Sequence, residues 1–197
     1  MNQSYPPIEN QTLGAARRLL FYNKLMKLLA YYEDPFWENT DIESMRFTTR
    51  VILENANGQL GFLKIEGEDA LGQRNHYETC GGGVEGDESF FETAAREVQE
   101  ELGCKAQDFS LIGVIIDRLN PLARLTMSVY VHAFVAHEGL ELQRTEAEAE
   151  LIRDVVWLIP AEAVRALSTA HSPIDAYVHR RDLRALLAWL ETREAQP

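Results

Sequence analysis

The sequence predicts an α+β domain, a mixed or antiparallel sheet flanked by helices, on three observations. β-rich stretches come in hairpin-like pairs, segments of helical periodicity are inserted between and after them, and no repeat of the kind that builds solenoids is present. With 197 residues, 46% of them hydrophobic and 9% aromatic, the chain has the length of one domain plus a short extension, and enough apolar material for a core.

Residues 1–12 are polar and carry Pro6-Pro7, which predicts a loosely ordered tail ending near a helix cap at Thr12. From Gln11 to Tyr32 there are four basic residues (Arg17, Arg18, Lys24, Lys27) and no acidic ones, while Phe21, Leu25, Leu28 and Tyr32 recur at helical intervals. An amphipathic basic helix is expected over residues 13–32. Pro35 in "EDPFWENTD" breaks that pattern, so the chain divides into a tail and helix at 1–40 and a main domain at 41–197.

The main domain opens with "RFTTRVILEN" and "LGFLKIE", two strands joined through Asn57-Gly58, a short hairpin signal. "NHYETC" reads as a further strand running into three glycines. After an acidic helix come "FSLIGVIID" and "LTMSVYVHAFVAH", the latter placing Leu125, Met127, Val129 and Val131 on one face by alternation. An acidic loop, "HEGLELQRTEAEAE", leads to a short strand, "DVVWLI". Pro160 opens the helix "PAEAVRAL", and "SPIDAYVHRRDLRALLAWLETRE" closes the chain as a longer one.

The net charge of −12 excludes a general nucleic-acid binder, which needs basic surface to replace phosphate counterions. A small polyphosphate is still a feasible ligand where metal ions and a few cations reverse the field inside one cleft. No apolar run approaches the ~20 residues of a membrane span, and "MNQSYPPIENQT" lacks a signal-peptide pattern, so a soluble cytoplasmic protein is expected. Cys80 and Cys104 lack metal-ligand spacing and are read as thiols.

The stretch "GGVEGDESFFETAAREVQEELGC", Gly82 to Cys104, holds seven acidic side chains and a single basic one, Arg96. Like charges at helical spacing repel by roughly 0.2–0.5 kcal/mol per pair, so folding alone gives little reason to gather them. A helix from near Glu88 to Leu102, ended by Gly103, puts Phe91, Ala94, Ala95, Val98 and Leu102 on one packed stripe. Glu97, Glu100 and Glu101 share a second stripe beside it. A solvated acidic face and a carrier of divalent cations both fit such a helix. The glycine-rich entry "CGGGVEGDE" and the single basic residue weigh toward the carrier, and hard oxygen ligands select Mg²⁺ or Mn²⁺ over Zn²⁺.

These residues resemble the Nudix box, G-x5-E-x7-R-E-U-x-E-E-x-G-U, matched here by Gly82, Glu88, Arg96, Glu97, Val98, Glu100, Glu101 and Gly103, with Cys104 at the last aliphatic position. The resemblance implies an α/β/α sandwich around a mixed sheet, and hydrolysis of a diphosphate linked to another moiety, commonly a nucleoside diphosphate derivative, with Mg²⁺ or Mn²⁺. It implies that Glu97, Glu100 and Glu101 hold metal, with Glu97 alternatively the base that helps activate water. Arg96 would orient a glutamate, Glu88 would stabilise the loop at the helix end, and Gly82 and Gly103 would be conformational. Where many relatives have Pro-Gly-Gly, this chain has Cys80 before Gly81-Gly82.

Outside the box, Arg46, Arg50, Lys64 and Arg74 lie on strands leading toward it, and Arg50 and Lys64 are the preferred pair for substrate phosphates. "TEAEAE" resembles the glutamate-bearing late loop of ADP-ribose-cleaving members, which implies a catalytic glutamate, Glu148 ahead of Glu146 or Glu150, and favours an ADP-ribose or nucleotide-sugar substrate over a nucleoside triphosphate. The basic N-terminal helix is expected to dock on the domain or on a second copy of the chain, giving a homodimer. The competing reading is a catalytically silent Nudix-like module that senses a nucleotide derivative; three intact glutamates weigh against it. A structural Ca²⁺ site is the weaker rival, since the sequence has no EF-hand loop.

Overall fold

A computed structural model of the protein describes residues 26–194. Its seven strands are β1 (Leu28–Tyr32), β2 (Ser44–Glu54), β3 (Leu60–Asp69), β4 (Gly72–Thr79), β5 (Lys105–Leu119), β6 (Arg124–His137) and β7 (Ile152–Leu158). The helices are α1 (Phe90–Leu102), α2 (Glu146–Leu151), α3 (Pro160–Leu167) and α4 (Pro173–Glu194). The strands form one mixed sheet in the order β1-β5-β6-β2-β3-β4, with β7 beside β3. β1 with β5 and β2 with β6 are parallel, and the remaining pairs are antiparallel.

The sheet is covered on both faces, which is why β2 and β6 are buried almost continuously over Thr48–Leu53 and Thr126–Ala133 rather than in alternate positions. Alternation instead sorts side chains between two cores. Val51, Leu53, Leu63, Val129 and Val131 pack with Phe90, Ala94, Val98 and Leu102 of α1, whereas Ile52, Leu60 and Phe62 meet Ala163, Leu167, Leu186 and Trp189 of α3 and α4. The result is the α/β/α layering expected.

Two elements differ from the sequence reading. Residues 13–25 of the expected N-terminal helix lie outside the described residues, but Leu28–Tyr32 form a strand that joins the sheet beside β5, upstream of position 41. Only Leu29 of β1 is fully buried, against Ile115 and Tyr130. A short apolar run such as "LLAYY" satisfies helical and strand periodicity alike, and the open edge of β5 decides between them. The second difference is "TEAEAE", where Glu146, Glu148 and Glu150 belong to the short helix α2, capped by Thr145, and not to a loop with alternating faces. Among the described residues, no helix is long and apolar enough to cross a membrane.

The middle of α4 is locked by one buried carboxylate. Asp182 accepts hydrogen bonds from the backbone N–H and hydroxyl of Thr79, from the Tyr130 hydroxyl and from Arg181 Nε, so it ties β4, β6 and α4 at one point. Asp182→Ala strands these donors in a dry interior. A loss of about 3–5 kcal/mol is expected, which at roughly 2–4 °C per kcal/mol for a chain of this size is a fall in Tm of about 10 °C by calorimetry.

Candidate active site

At Thr79 the chain leaves β4 and runs as a glycine strap beside β2. Val51 N–H donates to the Cys80 carbonyl at 2.9 Å, Thr49 N–H to the Gly82 carbonyl at 3.0 Å, and Val84 N–H to the Phe47 carbonyl at 3.0 Å. The strap fits only without side chains. Gly81 has φ +139°, and a Cβ there would stand 2.1 Å from the Thr49 carbonyl oxygen; at Gly82 a Cβ would stand 2.2 Å from Glu97 Oε1. Gly82 is therefore required for space beside a carboxylate, whereas Gly103, at φ +63°, is the conformational stop expected at the end of α1.

Helix α1 begins one turn past the strap. Ser89 is its N-cap and exchanges hydrogen bonds with Glu92 in a capping box. The buried face carries Phe90, Ala94, Val98 and Leu102; Phe91 and Ala95 of the expected stripe are only half-buried, because the face is rotated toward Phe90 and Thr93. This packing turns Glu97 and Glu101 inward, each only 6% exposed, while Glu100 stays at the edge.

Arg96 joins helix and strap. Its Nε and Nη2 donate to Glu88 at 2.9 and 3.1 Å, its Nη1 to Glu97 at 2.9 Å and to Glu100 at 3.0 Å, and its Nη2 also to the Gly83 carbonyl at 3.0 Å. Glu88 additionally accepts from the Glu85 N–H and the Thr93 hydroxyl, and the Arg96 guanidinium holds its carboxyl down to about 2.

Glu101 has a different setting. Its Oε2 accepts from Gly81 N–H at 2.8 Å, and burial, reinforced by the neighbouring Glu97 and Glu78, pushes its pKa up to about 8. Burial also raises Glu97, against the pull of Arg96. The thiol of Cys80 lies in the same field; burial first, then Glu101 and Glu97, push it well above its ordinary value, so it stays protonated and is no soft metal ligand. Among the described residues no three His, Cys, Asp or Glu side chains already converge as a metal cluster. The stripe of three glutamates is split: Arg96 spans Glu97 and Glu100, and Glu101 faces the strap. Even so, two desolvated carboxylates that repel one another, with oxygen as the hard donor atom, fit a divalent cation of the Mg²⁺ class.

Gly81, Gly82 and Glu101 form one wall of a cavity of about 300 Å³. Glu97 lies directly behind Gly82. Arg46, Arg50, Arg74, Arg124 and Arg181 line the same cavity, together with Glu78, His76 and Glu148. Arg50 Nη1 donates to the Thr79 carbonyl at 3.0 Å and stands 3.7 Å from Glu78. Burial alone would raise Glu78, but Arg50 and His76 outweigh it and hold the carboxyl well below the usual range.

Of the residues read from sequence, Arg50 reaches the cavity and Lys64 does not. Lys64 alternates with the cavity-lining Ile65, and its ammonium lies over the Tyr77 ring, bonded to Asn75 and paired with Glu66. Arg74 lines the cavity but is engaged by Asp69. Glu148 stands on the cavity wall, while Glu146 and Glu150 do not. It is brought there by the preceding segment, which is tied to the end of α1 through Leu140 N–H to the Gly103 carbonyl, Gln143 N–H to the Glu100 carbonyl and Arg144 to the Glu101 carbonyl. Its carboxylate accepts from Thr145 N–H as the capping box of α2. Sequence reasoning missed Glu78, His76, Arg124 and Arg181. Arg46 and Arg50 carry a local signal, four residues apart on one strand face, but Arg124 and Arg181 come from distant elements with none.

Solved structures share this architecture. A NUDIX hydrolase from Nitrosomonas europaea matches at TM-score 0.58 and 13% identity, over 75% of this chain and 89% of that one. The E. coli ORF135 protein matches at TM-score 0.54 and 25% identity, over 78% and 94%. An ADP compounds hydrolase matches at TM-score 0.58 and 20% identity, over 82% and 77%. No curated protein matches the sequence. The NUDIX domain model matches residues 45–181, more than two thirds of the chain and the whole of the strap, helix and cavity just described, and the protein belongs to the NUDIX family.

Proposed function

We propose that the protein hydrolyses a diphosphate linkage in a nucleoside diphosphate derivative, of the ADP-ribose or nucleotide-sugar type in preference to a nucleoside triphosphate, with Mg²⁺ or Mn²⁺ held by Glu97 and Glu101 and by Glu100 at the exposed edge. One observation carries the reading: a carboxylate with its pKa pushed up to about 8, Glu101, shares a cavity with several arginines on a protein of net charge −12. Arginines there suit dense negative charge, and strained carboxylates suit a cation that such charge brings with it.

When bound, a divalent ion neutralises phosphate oxygens and lowers the pKa of a water. The chain's own residues supply the rest. Arg50, braced by the Thr79 carbonyl and Glu78, offers its guanidinium to a non-bridging phosphate oxygen. Arg96 fixes the rotamer of Glu97 and so its distance from the strap. Glu148, half-buried on the cavity wall, accepts the proton of the attacking water, and the P–O bond to the leaving phosphate breaks as the new one forms.

Hydrolysis is expected to stop in chelator and return with Mg²⁺ or Mn²⁺. Glu97→Gln and Glu101→Gln are each expected to lower kcat by a hundredfold or more, read as phosphate or nucleotide release from a panel of ADP-ribose, nucleotide sugars and triphosphates; activity in rigorously metal-free buffer refutes the reading.

Glu148→Gln is a clean test of the base, because glutamine also serves as the third residue of a capping box and leaves α2 intact. The expected result is a tenfold or greater loss of kcat with unchanged Tm. A loss under about threefold at Glu146, Glu148 and Glu150 alike removes the late glutamate from the mechanism.

The pH dependence of the metal-free protein follows from Glu101. A carboxyl whose folded pKa lies above its unfolded value binds its proton more tightly when folded, so its contribution is complete below about pH 4.5 and is lost as pH rises through about 8. In EDTA, Tm is expected to fall between pH 5 and pH 8.5, and Glu101→Gln to flatten that slope. An equally steep slope in the variant places the titration elsewhere.

A further inference from the structure

The arginines that line the cavity exceed what a single diphosphate needs. Arg181 is held from behind, its Nε donating to Asp182 at 3.0 Å, with its side chain 6% exposed. Its Nη2 is buried without a hydrogen-bond partner, as is Arg124 Nε. Both side chains line the cavity, as does Arg46, whose guanidinium approaches Gly83. Burial lowers the pKa of Arg46, and Arg50 and Arg181 lower it further despite the opposing Glu97; Arg124 is lowered first by burial and then by Arg46, Arg181 and Arg50 despite the opposing Asp117. Their counter-charges are shared or weak: Asp182 is divided among Arg181, Thr79 and Tyr130, Asp117 accepts from the Tyr177 hydroxyl while burial pushes its own carboxyl up, and the ionised Glu78 of the same cavity is divided among Arg50, His76 and Arg181. Three guanidinium groups that repel one another, with buried N–H donors left over, form a receptor for a dianion.

The receptor runs from the strap to an apolar wall. Arg46 reaches the strap at Gly83, and Arg50, four residues on along β2, reaches the Thr79 carbonyl where the strap begins. Arg124 opens β6 opposite Leu119. Leu119, Ile174 and Tyr177 supply an apolar wall beside the receptor, suited to the organic part of a ligand.

We propose that Arg46, Arg124 and Arg181 form a subsite for a phosphate monoester, so that the preferred substrate is a diphosphate compound carrying a further terminal phosphate group. The proposal rests on the hydrolase reading for the word substrate, but not for the binding. A phosphate monoester carries close to two charges at neutral pH and three acceptor oxygens, which the leftover N–H donors match. The monoester could belong to a ribose or to the end of a polyphosphate, and the test separates the two.

Calorimetry in EDTA isolates the arginines from any metal. Inorganic phosphate is titrated first, then two matched pairs, ADP-ribose against ADP-ribose 2′-phosphate and ADP against ATP. The wild-type protein is expected to bind inorganic phosphate, with a tenfold or greater weakening in Arg124→Gln and in Arg46→Gln, two residues at the mouth whose replacement leaves the Asp182 network untouched. At least one pair is expected to favour the phosphate-richer member by tenfold or more, and the pair that does so names the source. Phosphate binding that is absent, or within twofold of wild type in both variants, overturns the subsite, as does the lack of preference in both pairs. A protein that fails every hydrolysis assay yet shows this binding pattern keeps the subsite and loses the hydrolase reading; one that hydrolyses without it does the reverse.

Discussion

Arg96 is the residue on which the geometry of the site depends. Its guanidinium is the only basic group in a window of seven acidic ones, and it bonds Glu88, Glu97, Glu100 and the Gly83 carbonyl together. Each contact fixes something different. Glu88 anchors the loop before α1, the Gly83 carbonyl anchors the strap, and Glu97 is held with its carboxylate so close behind Gly82 that a methyl group there has no room. A lysine has one nitrogen where arginine has a planar fork, and could not span helix, loop and strap at once.

Glu101 is the carboxylate that Arg96 does not reach. Burial and the repulsion of Glu97 and Glu78 raise its pKa, and the single backbone N–H from Gly81 and the charge of Arg50 offset them only in part. The strap thus has two roles. Its missing side chains let the helix approach β2, and the N–H of Gly81 partly satisfies a carboxylate that remains receptive to a cation.

The strongly acidic composition conceals a cavity of the opposite sign. β2 contributes Arg46 and Arg50, β6 contributes Arg124 and α4 contributes Arg181, all to one concave surface, while Glu78 is the acid held firmly ionised among them. Gathering these cations requires an anchor, and Asp182 provides it by tying Arg181 to Thr79 at the end of β4 and Tyr130 on β6. One cleft thereby carries a field opposite in sign to the net charge of the protein.

The sequence alone determined the helix α1, its capping glycine, the core positions Ala94, Val98 and Leu102, and the succession of hairpin and strands around it, because these are local: periodicity, caps and turn chemistry act within a few residues; that Phe90, Glu97 and Glu101 also turn inward was decided by packing on the sheet and strap. The box spacing likewise singles out Glu97, Glu101 and Arg96, which the fold brings against the glycine strap. The tertiary structure decided what depends on distant partners. Whether "LLAYY" is helix or strand was settled by the open edge of β5, and whether Glu146, Glu148 or Glu150 faces the cavity by the way α2 hangs from the end of α1. Lys64 and Arg50 look alike as basic residues on early strands, but strand alternation and the Tyr77 ring take one away from the cavity while the Thr79 carbonyl brings the other in. Arg124 and Arg181 carry no local signal, since a receptor assembled from residues separated by most of the domain exists only once the chain has folded.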